Sequence, residues 1–246
     1  MIFRKSTYLL LLFRKKSKLN SILYIMNSSY QLIKNQPFNL VIYCSGKCGG
    51  TTLFQTFYQK KTIVNPYFNP IHIHTNQIFK NCCKAGLLPF DKNDNPPDIY
   101  DLVDKEKPVF IIDAYRNPID RKISSYFQNY FHNLKYFKVP ENLSIEEEVD
   151  FFHFHIFHKL EDYESMGEVL KHYGIDKLDY HYKYWIGKKD NITFIRLKFS
   201  YIYEWGKILS KLLDYDVEIR KENLAIDKDY YKKYQIFKKI YYNRYN

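Results

Sequence analysis

The chain has 246 residues, enough for one α/β domain with a full core. Its charged share of 26% and hydrophobic share of 46% are ordinary for a soluble globular protein. With 38 Lys+Arg against 27 Asp+Glu the formal charge is +11, a field that favours anionic partners without choosing among nucleotides, acidic glycans, nucleic acid and membrane surfaces.

The 25 Tyr and 19 Phe are favoured by AT-rich codons, so their number alone is not read as a stacking surface. Four cysteines (Cys44, Cys48, Cys82 and Cys83) are too few and too clustered for a secreted disulfide framework. A reducing compartment such as the cytoplasm is the simpler expectation.

Residues 1–36 read as a basic and apolar arm ahead of a domain over 37–246. The apolar run at 8–13 is far short of the about 20 residues that span a bilayer. No signal-peptide pattern accompanies it. Basic residues flanking apolar ones suit a peripheral membrane contact, and a loosely docked helical arm is the blander alternative.

Residues 39–44 (NLVIYC) then form the first core strand by composition. A glycine-containing turn over 45–50 leads into a helix from Thr51 to about Lys60. Residues 71–74 (IHIH) read as a short strand and 91–98 (DKNDNPPD) as a loop. Residues 108–115 (PVFIIDAY) form a second buried strand, and Arg116-Asn117-Pro118 provides its exit and the start of a helix reaching about Leu134. Ser144 with Glu147 predicts a capping box that opens a helix toward Leu160. Residues 182–186 and 192–197 bracket a turn as a strand pair, and helices are expected over 200–213 and 227–242. Strand–turn–helix units followed by helices indicate an α/β core with helical additions.

The segment Ser45-Gly46-Lys47-Cys48-Gly49-Gly50-Thr51-Thr52 has the layout of a phosphate cradle. Glycines allow close backbone approach, helix-start N–H groups point at an anion, and Lys47 supplies a full charge. It is not a Walker A loop, in which lysine directly precedes the magnesium-binding hydroxyl. Here Cys48 follows Lys47, so a kinase-type nucleoside triphosphate site is poorly supported. The order Lys-x-Gly-Gly-Thr-Thr instead resembles the 5′-phosphosulfate loop of sulfotransferases that use 3′-phosphoadenosine-5′-phosphosulfate (PAPS).

A second segment strengthens that likeness. Arg116-Asn117-Pro118 leaves a buried strand, and Ser124 follows Arg116 by eight residues, with Tyr126 closing a Ser-x-Tyr end. This spacing is similar to the arginine and serine that hold the 3′-phosphate of PAPS in that family. A forked guanidinium and a hydroxyl are suitable phosphate donors. Residues 192–205 (ITFIRLKFSYIYEW) add a weaker likeness to a late strand and helix. The Arg-Lys-Gly signature of the cytosolic members is not recognisable, and Arg220-Lys221-Glu222-Asn223 stands in its region.

The resemblance implies a P-loop NTPase-like three-layer α/β fold with a short central parallel sheet and extra C-terminal helices. It further implies that Lys47, Cys48, Gly49, Gly50, Thr51, Thr52, Arg116 and Ser124 bind PAPS, with no metal. Sulfuryl transfer to an acceptor hydroxyl would release 3′,5′-ADP, with Lys47 stabilising the leaving phosphate. The likeness is nearest to glycan-modifying and capsular-polysaccharide members, which implies a carbohydrate acceptor.

The family's general base is a histidine or glutamate. His72 and His74 share one strand face, and His74 at the strand end is the candidate; both also suit a partly exposed strand. His153, His155 and His158 suit packing or surface roles. A zinc module built from the cysteines with His72 and His74 fits no familiar ligand spacing. A non-catalytic RNA-binding or anion-binding protein is the remaining rival, although no RNA-module signature appears and no specific nucleic acid is expected.

Overall fold

A computed structural model describes residues 38–58, 71–73, 106–128, 130–160, 166–219 and 228–245. His74, Cys82, Cys83, the arm over 1–36 and the loop over 91–98 lie outside the described residues.

Among the described residues six strands form one mixed sheet in the order β2-β1-β3-β6-β5-β4. They are β1 (Asn39–Tyr43), β2 (Ile71–Ile73), β3 (Val109–Tyr115), β4 (Asp179–His181), β5 (Tyr184–Lys189) and β6 (Ile192–Lys198). Strands β2, β1, β3 and β6 run parallel, and β5 and β4 continue the sheet antiparallel. The short parallel sheet expected from the sequence is therefore the inner part of a longer, mixed one. β1 is buried at all five positions. Continuous apolar sequence is what a parallel strand covered on both faces requires.

The helices are α1 (Gly50–Tyr58), α2 (Pro118–Gln128), α3 (Tyr130–Tyr136), α4 (Ile145–Phe151), α5 (Met166–Tyr173), α6 (Trp205–Leu213) and α7 (Tyr231–Tyr245). Leu53 and Phe57 of α1 and Trp205, Leu209 and Leu213 of α6 pack on one sheet face, against Leu40, Ile42, Ile112, Ala114, Ile195 and Leu197. On the other face, Tyr43 donates a 2.6 Å hydrogen bond to Glu168 Oε2 of α5. The result is a mixed α/β arrangement with helices on both faces. No helix among the described residues is long and apolar enough to cross a membrane.

A second core stands apart from the sheet. Ile123, Tyr126 and Phe127 of α2 meet Val149, Phe152, Ile156 and, from α7, Tyr234, Phe237 and Tyr241. Glu148 lies buried within it. One carboxylate oxygen accepts from the Tyr126 hydroxyl at 2.8 Å, and the other pairs with Lys233 at 2.5 Å. Ser144 and Glu147 make the expected capping box at the start of α4. The chain then continues through one π-helical turn at Phe152–Ile156 and a 3-10 turn at Phe157–Lys159.

Candidate anion-binding site

The loop between β1 and α1 alternates backbone hand. Lys47 has φ 68° and Gly49 has φ 92°, with Cys48 between them at negative φ. Such alternation turns successive N–H groups toward one concavity, a known anion-binding shape. A left-handed lysine costs about 1–2 kcal/mol, because its Cβ crowds the following carbonyl. The first turn of α1 is closed by the bond from Leu53 N–H to Gly49 O at 3.1 Å. The N–H groups of Gly50, Thr51 and Thr52 are those a helix start leaves without an internal acceptor. The side chain of Thr51 is exposed and that of Thr52 is buried.

Gly49 is required by packing as well as by φ. A Cβ there would lie 2.8 Å from the indole of Trp205, a fully buried residue of α6. The loop is thus seated on an aromatic wall, and its curvature is fixed from behind.

Arg116 crosses from the end of β3 to this loop. Its Nη1 donates to the Lys47 carbonyl at 3.0 Å, and Nη2 donates to the Tyr234 hydroxyl of α7 at 3.0 Å. Its guanidinium also lies 4.6 Å from the centre of the Phe199 ring. Nε is buried with no hydrogen-bond partner. Burial, and after it the charge of Arg116, push the Lys47 ammonium below its ordinary pKa. No carboxylate pairs with Lys47 or Arg116 among the described residues. Two cations brought together in this way suit a shared anionic guest.

Next to Arg116 lies a small cavity lined by Cys48, Tyr115, Arg121 and Arg196 as well. Arg121 and Arg196 are 9% and 7% exposed. Arg196 pairs through Nε with Asp113 Oδ2 at 3.1 Å, directly across the β3–β6 register. The other Asp113 oxygen accepts from the Ala114 N–H at 2.7 Å. The rings of Tyr115 and Trp185 lie 5.0 and 5.8 Å from the Arg196 guanidinium. Burial, followed by the charge of Asp113, raises the Cys48 thiol above its ordinary pKa, so the thiol stays neutral.

The structure therefore joins Lys47, Cys48, Gly49 and Arg116 in one place. Ser124 is half-buried on α2 and is not among the residues lining the arginine cavity. Of the histidine pair, β2 aligns His72 with Ile42 of β1, and His74 lies outside the described residues. His153 packs in the second core, with Nδ1 3.0 Å from the Tyr241 hydroxyl and its ring stacked 3.8 Å from Tyr245. Among the described residues no group of three or more His, Cys, Asp or Glu could hold a metal ion.

The motifs legible in the sequence give no role to Arg121 or Lys122, two charges on a helix that follows Arg116-Asn117-Pro118. In the structure Arg121 turns into the cavity, and Lys122 donates to the Phe157 carbonyl at 3.0 Å. Sequence reasoning also passed over Tyr234 and Arg196. The readable signal was Asp113, a carboxylate inside an apolar strand, which demands a buried cationic partner. No family model, curated protein or solved structure matches the chain.

Proposed function

We propose that the protein is a PAPS-dependent sulfotransferase acting on a hydroxyl of a carbohydrate. The observation that carries this reading is the pairing of Lys47 with Arg116 beside a backbone cradle of alternating hand, neither cation being matched by a carboxylate among the described residues. The order of strand, Lys-x-Gly-Gly-Thr-Thr loop and helix favours it over a magnesium nucleotide site, because Cys48 stands where a metal-binding hydroxyl would be needed. The fold that goes with this reading is P-loop NTPase-like. Support comes from β1 running parallel between β2 and β3 and leading through the loop into α1.

In the proposed reaction the acceptor hydroxyl gives its proton to a base, and its oxygen attacks sulfur. The bond from sulfur to the phosphate oxygen breaks, and 3′,5′-ADP leaves. Lys47 would donate to that oxygen as charge collects on it. Thr51, Thr52 and the loop N–H groups would hold the 5′-phosphate, with Arg116 and Ser124 serving the 3′-phosphate. His74 is the proposed base. Arg116 also anchors the loop, because its two terminal nitrogens donate to the Lys47 carbonyl and the Tyr234 hydroxyl.

Calorimetric titration of 3′,5′-ADP and of ATP with magnesium tests the reading. Tight binding of 3′,5′-ADP is expected, lowered at least tenfold by Arg116→Ala, with weak ATP binding that ignores magnesium. Equal binding of both nucleotides, or dependence on magnesium, would overturn it.

A further inference from the structure

We infer that the arginine cavity at the carboxyl end of β3 is a seat for a tetrahedral oxyanion, a phosphate or sulfate group, held by Arg121 and Arg196 with the remaining donor of Arg116. The cavity measures about 50 Å³. One water needs about 10–15 Å³ on this measure, so the space suits a few waters or one five-atom oxyanion. Its wall chemistry selects between guests. Guanidinium groups donate hydrogen bonds and cannot accept them, so a polar guest among three of them must be an acceptor. Their planar forks match the oxygens of phosphate and sulfate.

The side chains are also held ready. Asp113 and the rings of Tyr115 and Trp185 fix Arg196. Arg121 is nine-tenths buried and lines the cavity beside Cys48. Arg116 engages its two terminal nitrogens with the Lys47 carbonyl and the Tyr234 hydroxyl, while its buried Nε makes no hydrogen bond. Pre-positioned donors lose little freedom when a guest arrives, which favours binding.

This seat stands on those side chains alone. Assigning its oxyanion to one of the donor's two phosphates rests on the sulfotransferase reading. In that case Arg121 and Arg196 would join Arg116 and Ser124 in recognising the second phosphate.

Thermal unfolding in sodium phosphate and sodium sulfate, against sodium chloride at equal ionic strength, tests the seat. A saturable rise in Tm with both oxyanions is expected. Arg121→Gln should weaken the apparent constant at least tenfold, and Arg121→Lys should weaken it less. An equal rise in chloride, or a phosphate effect that survives in Arg121→Gln when Lys47→Gln also silences the neighbouring loop, would mean an adventitious ion only and overturn the proposal. Should Arg121→Gln fail to fold, the wild type still decides. The side-chain ¹⁵N resonance of Arg121 should shift with phosphate, and a resonance that stays put overturns the seat.

Competition separates the sources. Displacement of inorganic phosphate by 3′,5′-ADP but not by 5′-AMP would assign the seat to a nucleotide's second phosphate. Binding of phosphate that depends on Arg121, without any 3′,5′-ADP binding, would remove the nucleotide reading and leave a seat for free oxyanion.

Discussion

Lys47 shows how a proposed binding residue can work against the fold that carries it. Its ammonium sits half-buried beside Arg116, and its backbone is left-handed. Because its folded-state pKa lies below the ordinary value of 10.5, the unfolded chain holds this proton more tightly. The residue thus lowers stability at neutral pH. That cost fades as pH rises past the folded pKa toward 10.5. Lys47→Gln should therefore raise the melting temperature of the unliganded protein at pH 7. It should also abolish 3′,5′-ADP binding; an unchanged or lower Tm would refute the electrostatic account. Gly49 behaves in the opposite sense. Gly49→Ala would force a Cβ against the Trp205 indole at a φ that disfavours any side chain. The expected cost is about 1–3 kcal/mol by urea denaturation. A neutral result would show that the indole can yield.

Among the elements, those written in local pattern are the ones the sequence discloses. The apolar runs of β1 and β3, the β5–β6 pair and the box at Ser144 and Glu147 need only neighbouring residues to be seen. Ser144→Ala should cost about 1 kcal/mol in equilibrium unfolding, since it removes the acceptor of the Glu147 N–H. Equal stability of the two proteins would mean that α4 is held by its packing alone. Where register decides, sequence pattern is mute. Arg196 meets Asp113 only because β6 docks parallel to β3 in one register, 83 positions along the chain. Strand β4 is exposed at all three positions and carries no apolar alternation to betray it. Phe152–Ile156 reads as ordinary helix, and its π-helical turn becomes visible only in the packing of Phe152 and Ile156 against α7. Of the proposed site, the loop and Arg116 were legible because both follow buried strands directly. Arg121 was hidden because a lone arginine on a helix carries no local sign that tertiary packing will bury it.

Across the whole molecule, the two cores are stitched together through the proposed site. Arg116, directly after the end of β3, reaches Tyr234, which packs in the second core, and α7 grips α2 again where Lys238 pairs with Asp120 at 2.7 Å. α7 thereby supports the loop at Lys47, although the two lie far apart in sequence. The distribution of tryptophan gives the arrangement a practical consequence. The chain has only two tryptophans. Trp205 backs the loop at Gly49, and Trp185 flanks Arg196. Indole emission responds to nearby charge and to the tightness of its surroundings. The protein thus carries an intrinsic optical reporter on each side of the site, with no other indole to dilute the signal. Occupancy of the loop and of the arginine cavity could be followed separately, without a label, by silencing one indole at a time with phenylalanine.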